Sequence, residues 1–449
     1  MAKMIEQLID DYYKCYLESL DCSIAGPLKD LSGYFRFGQD ILCYGQMVGY
    51  TCPTVNEHLA DASKHVRRHE STLVLPFDPA QVVNNLRYER YVNQLCQRTW
   101  LQNQWIKEIY YTLRPFFPVS LRKYIQKVYL RGWETIPFPA WPVDRTVDRL
   151  CEKLLGLTMH TLHLDRLPFI WFWPEGHAAC AIVTHDVEGP SGRDFTGHVM
   201  DIDEAYGVKA SFQIVPEKRY TVSPEYLAAI RERGFEISVQ GLTHDGRLFW
   251  HREEFLRRAQ KINHYATEWG AQGFRSPVLY RNVDWMKHLC FAYDMSIPNV
   301  AHLDPQRGGC CTIMPYFLPD GMLELPVTTT QDYSLFHVLE AYSIDLWKKQ
   351  ASLIIGGHGL MNFIVHPDYI IDTRAQSVYK ALLEYLNQLR SDHKVWLPLP
   401  RDVARWWRER SEMKLIADST GWRIEGPGSD RARLAYARLE GGQVVYEMV

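Results

Sequence analysis

The stretch AACAIVTHDVEG, residues 178–189, is a run of small and branched apolar residues that ends in His185, Asp186, Val187 and Glu188. Such a run reads as a buried strand, and its C-terminal end carries an imidazole and two carboxylates. Other segments repeat the arrangement. FEISV (235–239) runs into QGLTHDG, which contains Gln240, His244 and Asp245. AQGF (271–274) runs into Arg275 of FRSP, DMSI (294–297) opens on Asp294, and MNFIV (361–365) runs into His366. A lone histidine is more often a structural residue than a ligand. Carboxylates, histidines and an arginine at five strand ends instead make up the inventory of a hydrolytic site that activates water with a metal or a base.

Strand ends gather only if the fold gathers them. From about residue 166 short apolar segments alternate with helical patterns such as 223–234 and 252–270. Seven strand candidates (178–184, 209–215, 235–239, 271–274, 294–297, 322–327 and 361–365) predict a parallel sheet with crossover helices, closed into a barrel. In such sheets the C-terminal ends of the strands share one face, where chemistry is placed. Residues 1–165 read as a mostly helical N-terminal domain, with one long helix over 82–113 and another over 143–162, joined through the Pro-rich IPFPAWP (136–142). Residues 409–449 read as a small β tail with a hairpin around Gly441-Gly442. The barrel is expected over 166–408.

The chain has 449 residues, 46% hydrophobic and 13% aromatic, enough for two or three domains with a large core. A net charge of -3 gives no case for nucleic acid. The N-terminus has early acids and no apolar signal core, and no uncharged stretch is long enough to span a bilayer. Ten cysteines without a C-x-x-C pair then suggest reduced thiols and a cytoplasmic location. One segment points to a surface. From 109 to 133 there is no acid, but there are Arg114, Arg122, Lys123, Lys127 and Arg131. A helix over 119–131 with Leu121, Tyr124, Ile125 and Val128 on one face suits peripheral contact with the cytoplasmic face of an anionic membrane. Packing of that face on the core, with a solvated basic side, is the structural alternative.

The motif set resembles that of the polysaccharide deacetylases, the NodB-homology or carbohydrate esterase family 4. THDVEG is similar to the first motif, QGLTHDG to the second (His-x-x-x-His), FRSP to the third, YDMSIPN to the fourth and IVHPDY to the fifth. The order holds over roughly residues 170–400. The resemblance implies a distorted (β/α)7 barrel and removal of an acetyl group from an N-acetylated sugar, whether free, nucleotide-linked or lipid-linked. It implies Asp186 as general base, His366 as proton donor to the departing amine, and Arg275 and Asp294 as orienting groups. A divalent metal, zinc by the family's habit, would be held by Glu188, His244 and the residue at 240.

The departures matter. Val187 stands where the metal aspartate is common, so Glu188 would take the second carboxylate's place, and which of Asp186 and Glu188 is base and which is ligand stays open. Gln240 stands at the first histidine of the second motif, and an amide oxygen is a poorer donor than imidazole for zinc-like ions. The metal is then weakly held or absent. A metal-independent hydrolase of another C–N bond and a non-catalytic carbohydrate-binding or scaffolding protein remain open beside the deacetylase reading. Glu217 and Arg219, in the loop after the second strand, and Tyr280 are candidates for contact with the sugar, against a solvated turn and core packing.

Overall fold

The structure is a computed structural model that describes residues 3–17, 20–92, 117, 119–419 and 421–449. Its centre is a curled sheet of nine strands: β1 (Ala179–Val187), β2 (Ser211–Ile214), β3 (Glu236–Gln240), β4 (Gly273–Arg275), β5 (Tyr293–Asp294), β6 (Tyr316–Phe317), β7 (Leu323–Glu324), β8 (Leu360–Val365) and β9 (Val395–Trp396). The order is β6-β7-β5-β4-β3-β2-β1-β8, with β9 pairing the start of β1. All pairs are parallel except β6 with β7. Each of the seven candidate segments carries a strand, and together they curl into a half barrel.

All nine residues of β1 are buried, because the strand is covered on both sides. Ala179, Ala181, Val183 and Val187 pack with the crossover helices, whereas Cys180 and Ile182 join a second core inside the curl. That alternation sends Thr184 and Asp186 inward as well. Between β7 and β8 the strand ladder is interrupted. Pro326 follows β7 and has no N–H to offer, and threonine side chains span the gap instead. Thr328 Oγ1 donates to the Leu360 carbonyl at 2.6 Å and Thr329 Oγ1 to that of Asn362 at 2.7 Å.

The N-terminal region differs from the helical expectation. Helices α1 (Lys3–Tyr13), α2 (Pro79–Arg87), α3 (Val119–Leu130) and α4 (Thr146–Thr161) are present, but Asp21–Ile24, Gly33–Arg36, Leu42–Gly45, Arg67–His69 and Thr72–Leu75 are strands. The helix expected over 82–113 stops at Arg87, and Glu89 turns to a left-handed φ of 55°. There its carboxylate accepts Arg281 Nε at 2.6 Å, so a tertiary ion pair overrides the helical pattern. The remainder of that segment, 93–116, lies outside the described residues. Helix α3 exposes Leu121, Tyr124 and Val128, while Lys127 pairs with Glu340. No helix among the described residues is long and apolar enough to cross a membrane.

The C-terminal strands Leu434–Glu440 and Gln443–Met448 pair across Gly441-Gly442, and the first also pairs with Arg166–Ile170. Helix α5 (Pro400–Glu412) runs through the boundary expected at 408/409. It carries Arg410, 1% exposed, whose guanidinium donates to the carbonyls of Tyr12, Tyr13, Ile170 and Trp171. The two ends of the chain and the base of the barrel therefore share one core.

Candidate active site

The parallel register explains which residues meet. His185 lies beside Val365, Asp186 beside Gln213, and Gln240 beside Arg275. One step beyond the β8 register, His366 falls next to Asp186. The C-terminal ends of β1, β3, β4 and β8 thus form one rim.

Asp186 is the centre of it. Its Oδ1 accepts Arg275 Nη1 at 2.5 Å, and its Oδ2 accepts the Gln240 amide at 3.0 Å. Arg275 is held in turn by the Met295 carbonyl at 3.0 Å and Thr184 Oγ1 at 2.8 Å. A guanidinium with every nearby acceptor fixed keeps one orientation, and so does the carboxylate it grips. Glu188, two residues on and on the same side of the chain, stands between two imidazoles. His244 Nε2 is 2.8 Å and His366 Nε2 is 3.4 Å from its Oε1. Burial opposes ionisation of Glu188, but His244 and His366 outweigh it and hold the carboxyl well below the usual carboxylate range. For His366 burial opposes the charged ring, and Asp332 and Glu188 outweigh it, so its pKa lies well above that of a free imidazole. The Glu188 side chain is 22% exposed, against 6% for Asp186 and 4% for His366, so it is the group that reaches solvent.

Asp332 is the residue that sequence reasoning missed. It is fully buried and braces His366 at both the backbone and Nδ1. Asp294, expected with Arg275 as an orienting group, feels that guanidinium electrostatically without touching it. Its carboxylate accepts Ser296 Oγ at 2.6 Å and lies against Glu324, and no ion pair joins it to Arg275 among the described residues. Burial and the neighbouring Asp294 push Glu324 well above the ordinary range. Alternation on the strand explains the missing ion pair: Phe274, next to Arg275, is the residue paired with Asp294.

The remaining candidates divide. Arg219 Nε donates to the Glu188 carbonyl at 2.7 Å and so steadies the loop that carries that carboxylate. Glu217 turns outward to Lys261 at 3.1 Å and Tyr265 at 3.4 Å, which makes it part of a surface ion pair. Tyr280 is half-buried behind Ser276. His185 points to the helix side, where its ring meets the Val365 carbonyl and Asp203 Oδ2, both at 3.0 Å. Asp245 is paired with Arg258 at 2.9 Å.

Ligand atoms of Asp186, Glu188 and His366 all lie within 4.8 Å of one another. Two carboxylates and an imidazole at that spacing suit a divalent cation. Gln240 does not add an oxygen to this set. Its Nε2 is 3.0 Å from Asp186 and 3.5 Å from Glu188, while its Oε1 is buried without a partner. Two neighbouring carboxylates dictate that orientation, because the amide oxygen would be repelled there.

Among the solved structures similar to this chain, several are described as polysaccharide deacetylases. The resemblance is to the polysaccharide deacetylases. A protein from Mycobacterium smegmatis assigned as a polysaccharide deacetylase is 19% identical, with a TM-score of 0.44, over 53% of this chain and 93% of that one. Puue allantoinase is 14% identical, with a TM-score of 0.43, over 53% and 92%. A CE4 family pseudoenzyme from Bacillus anthracis is 13% identical, with a TM-score of 0.33, over 51% and 66%. The polysaccharide deacetylase likeness therefore spans about half of this chain. The sequence matches no protein-family model and no curated protein.

Proposed function

We propose that this chain is a hydrolase that removes the acetyl group from an N-acetylated sugar. The observation that carries the reading is the placement of two differently partnered groups on one rim, a carboxylate against a guanidinium and an imidazole against a carboxylate. Asp186 is gripped by Arg275 at 2.5 Å, and His366, whose pKa is raised well above that of a free imidazole, is paired with Asp332 at 2.6 Å. A base and an acid kept apart in this way serve the two halves of amide hydrolysis. Asp186 takes the proton of the attacking water. His366 presents Nε2–H to the departing amine nitrogen. Glu188 reaches solvent between His244 and His366, where it orients that water, and Arg219 fixes its backbone. The products are acetate and a free amino sugar.

The carboxylates of Asp186 and Glu188 could hold a divalent cation, which when bound would polarise the carbonyl being attacked; His366 Nε2 could join them only unprotonated, and so not while it serves as the proton donor. Zinc is the ion proposed for it, held weakly or not at all because Gln240 stands where a histidine ligand is expected. A second reading is favoured by Gln240. Its N–H already points at the two carboxylates, and the imidazoles of His244 and His366 lie 2.8 and 3.4 Å from Glu188, so protein groups already occupy the surroundings of both carboxylates. That is the expectation for a metal-independent C–N amide hydrolase.

The test is acetate release from N-acetylglucosamine, its nucleotide-linked form and chito-oligosaccharides. Native chain, Asp186→Asn and chelator-treated chain are compared. Release that is abolished in Asp186→Asn supports the proposal. Absence of release by native chain, with sugar binding retained, points to the carbohydrate-binding alternative. Peripheral membrane contact through α3 is a separate proposal, resting on its exposed Leu121 and Tyr124 and tested by flotation with anionic liposomes.

A further inference from the structure

Outside the rim just described, a cavity of about 350 Å³ lies between the N-terminal helices and the edge of the sheet. Helices α1, α2 and α5 and strand β6 form its walls, and none of its lining residues belongs to the active site. That volume is in the range of small-molecule sites. Tyr88, Tyr316, Phe317 and Trp407 supply aromatic walls.

Its charges do not balance. Lys14, on the wall, is met by Asp10 at 3.0 Å. Arg87 has no ion pair among the described residues, and its Nε is buried without a partner. Its guanidinium lies 5.2 Å from the Tyr316 ring centroid, turned across the cavity wall. Arg410 is neutralised by no carboxylate; backbone carbonyls occupy its Nε and Nη2, and its Nη1 makes no hydrogen bond among the described residues. The carboxylate on the lining is that of Asp11, which is exposed at the mouth. Two guanidinium groups thus line a hollow with one acid, Asp11, which Arg87 and Lys14 share. Arg410 is fully buried and Arg87 half-buried; cations taken out of water without a close counter-charge are costly, and a bound anion removes that cost.

We propose that this cavity is a second ligand site, which takes a planar ring carrying a phosphate or carboxylate. Arginine forks suit planar or tetrahedral oxyanions, and the aromatic walls suit the ring.

Calorimetric titration of the full chain with uridine monophosphate, benzoate, uridine and inorganic phosphate tests this. Saturable binding of uridine monophosphate or benzoate is expected, with uridine silent; which of the two binds separates phosphate from carboxylate. Arg87→Ala should weaken binding about tenfold or more. Arg87→Gln, of similar length and without the charge, should do the same should the alanine variant fold poorly. Asp186→Asn should bind as the native chain does. The proposal is overturned if neither ring-bearing anion binds native chain saturably, if both Arg87 variants keep native affinity, or if Asp186→Asn loses it.

Discussion

Asp332 holds His366 twice: its Oδ2 accepts the histidine backbone N–H at 2.7 Å, and its Oδ1 lies 2.6 Å from Nδ1. This fixes the ring so that Nε2 faces Glu188, and it stabilises the protonated form. Asp332→Asn removes the charge and keeps the shape. We expect kcat to fall by about 10²–10⁴, the scale of general acid catalysis. The raised pKa of His366 places loss of the acid on the alkaline side of the pH profile. In Asp332→Asn that limb should move to lower pH, since the imidazolium has lost its counter-charge. A pH profile of kcat/KM checks both. An unmoved alkaline limb would deny Asp332 this role.

Arg275 and Asp186 form an ion pair with almost no solvent contact. Removing one partner leaves the other charge buried and alone, which costs about 3–5 kcal/mol. Arg275→Met should lose that much stability in denaturant unfolding. Arg275→Lys should keep most of it but lose the fork that reaches Thr184, Asp186 and the Met295 carbonyl together. Its activity should fall about tenfold or more while its unfolding midpoint moves little. Equal losses in both measurements would make the pair purely structural.

The half barrel was legible because its strands are apolar runs bounded by helical patterns, and Asp186, Glu188, Gln240, His244, Arg275 and His366 could be read as strand-end residues. Asp332 was not. It lies in the polar TTTQDYS beyond a two-residue strand, where no periodicity marks it. Asp294 took its place in the reading because it opens an apolar segment, yet a position in sequence does not say which carboxyl it will face. The N-terminal strands have three or four residues each, too few for alternation to register. The end of α2 depends on the Glu89–Arg281 ion pair, whose partners are 192 positions apart.

Gln240→His exchanges an N–H donor for an imidazole beside Asp186, Glu188 and His244. Zinc affinity, measured by competition with a coloured chelator, should rise at least about tenfold, because imidazole is the better donor for that ion. The variant also loses the hydrogen bond from Gln240 to Asp186. If the native site works without metal, its activity should fall in the variant and survive chelator in the native chain. If the native site is a weak metal site, activity of the variant should rise with added zinc. Unchanged zinc affinity would mean that position 240 does not face the cluster in solution.

The barrel interior makes a prediction independent of catalysis. Glu236 on β3 is 3% exposed, with Tyr293 Oη donating to Oε1 at 2.5 Å and the Arg401 N–H donating to Oε2 at 3.1 Å. Burial pushes its carboxyl up to about 7, against the pull of those two hydrogen bonds. The folded chain therefore keeps this proton at pH values where the unfolded chain, with an ordinary value of 4.5, has lost it. Stability from this group is fully present below about pH 4.5 and declines as pH rises to about 7, by about 3 kcal/mol. Other buried carboxyls add their own slopes, so the comparison must be with Glu236→Gln, which cannot titrate. The variant should be less stable than native chain at pH 5, where an amide N–H opposes the Arg401 donor, and should close part of the gap by pH 8. Urea unfolding of both proteins across that range measures the difference, and a constant gap would place the Glu236 carboxyl at its ordinary pKa.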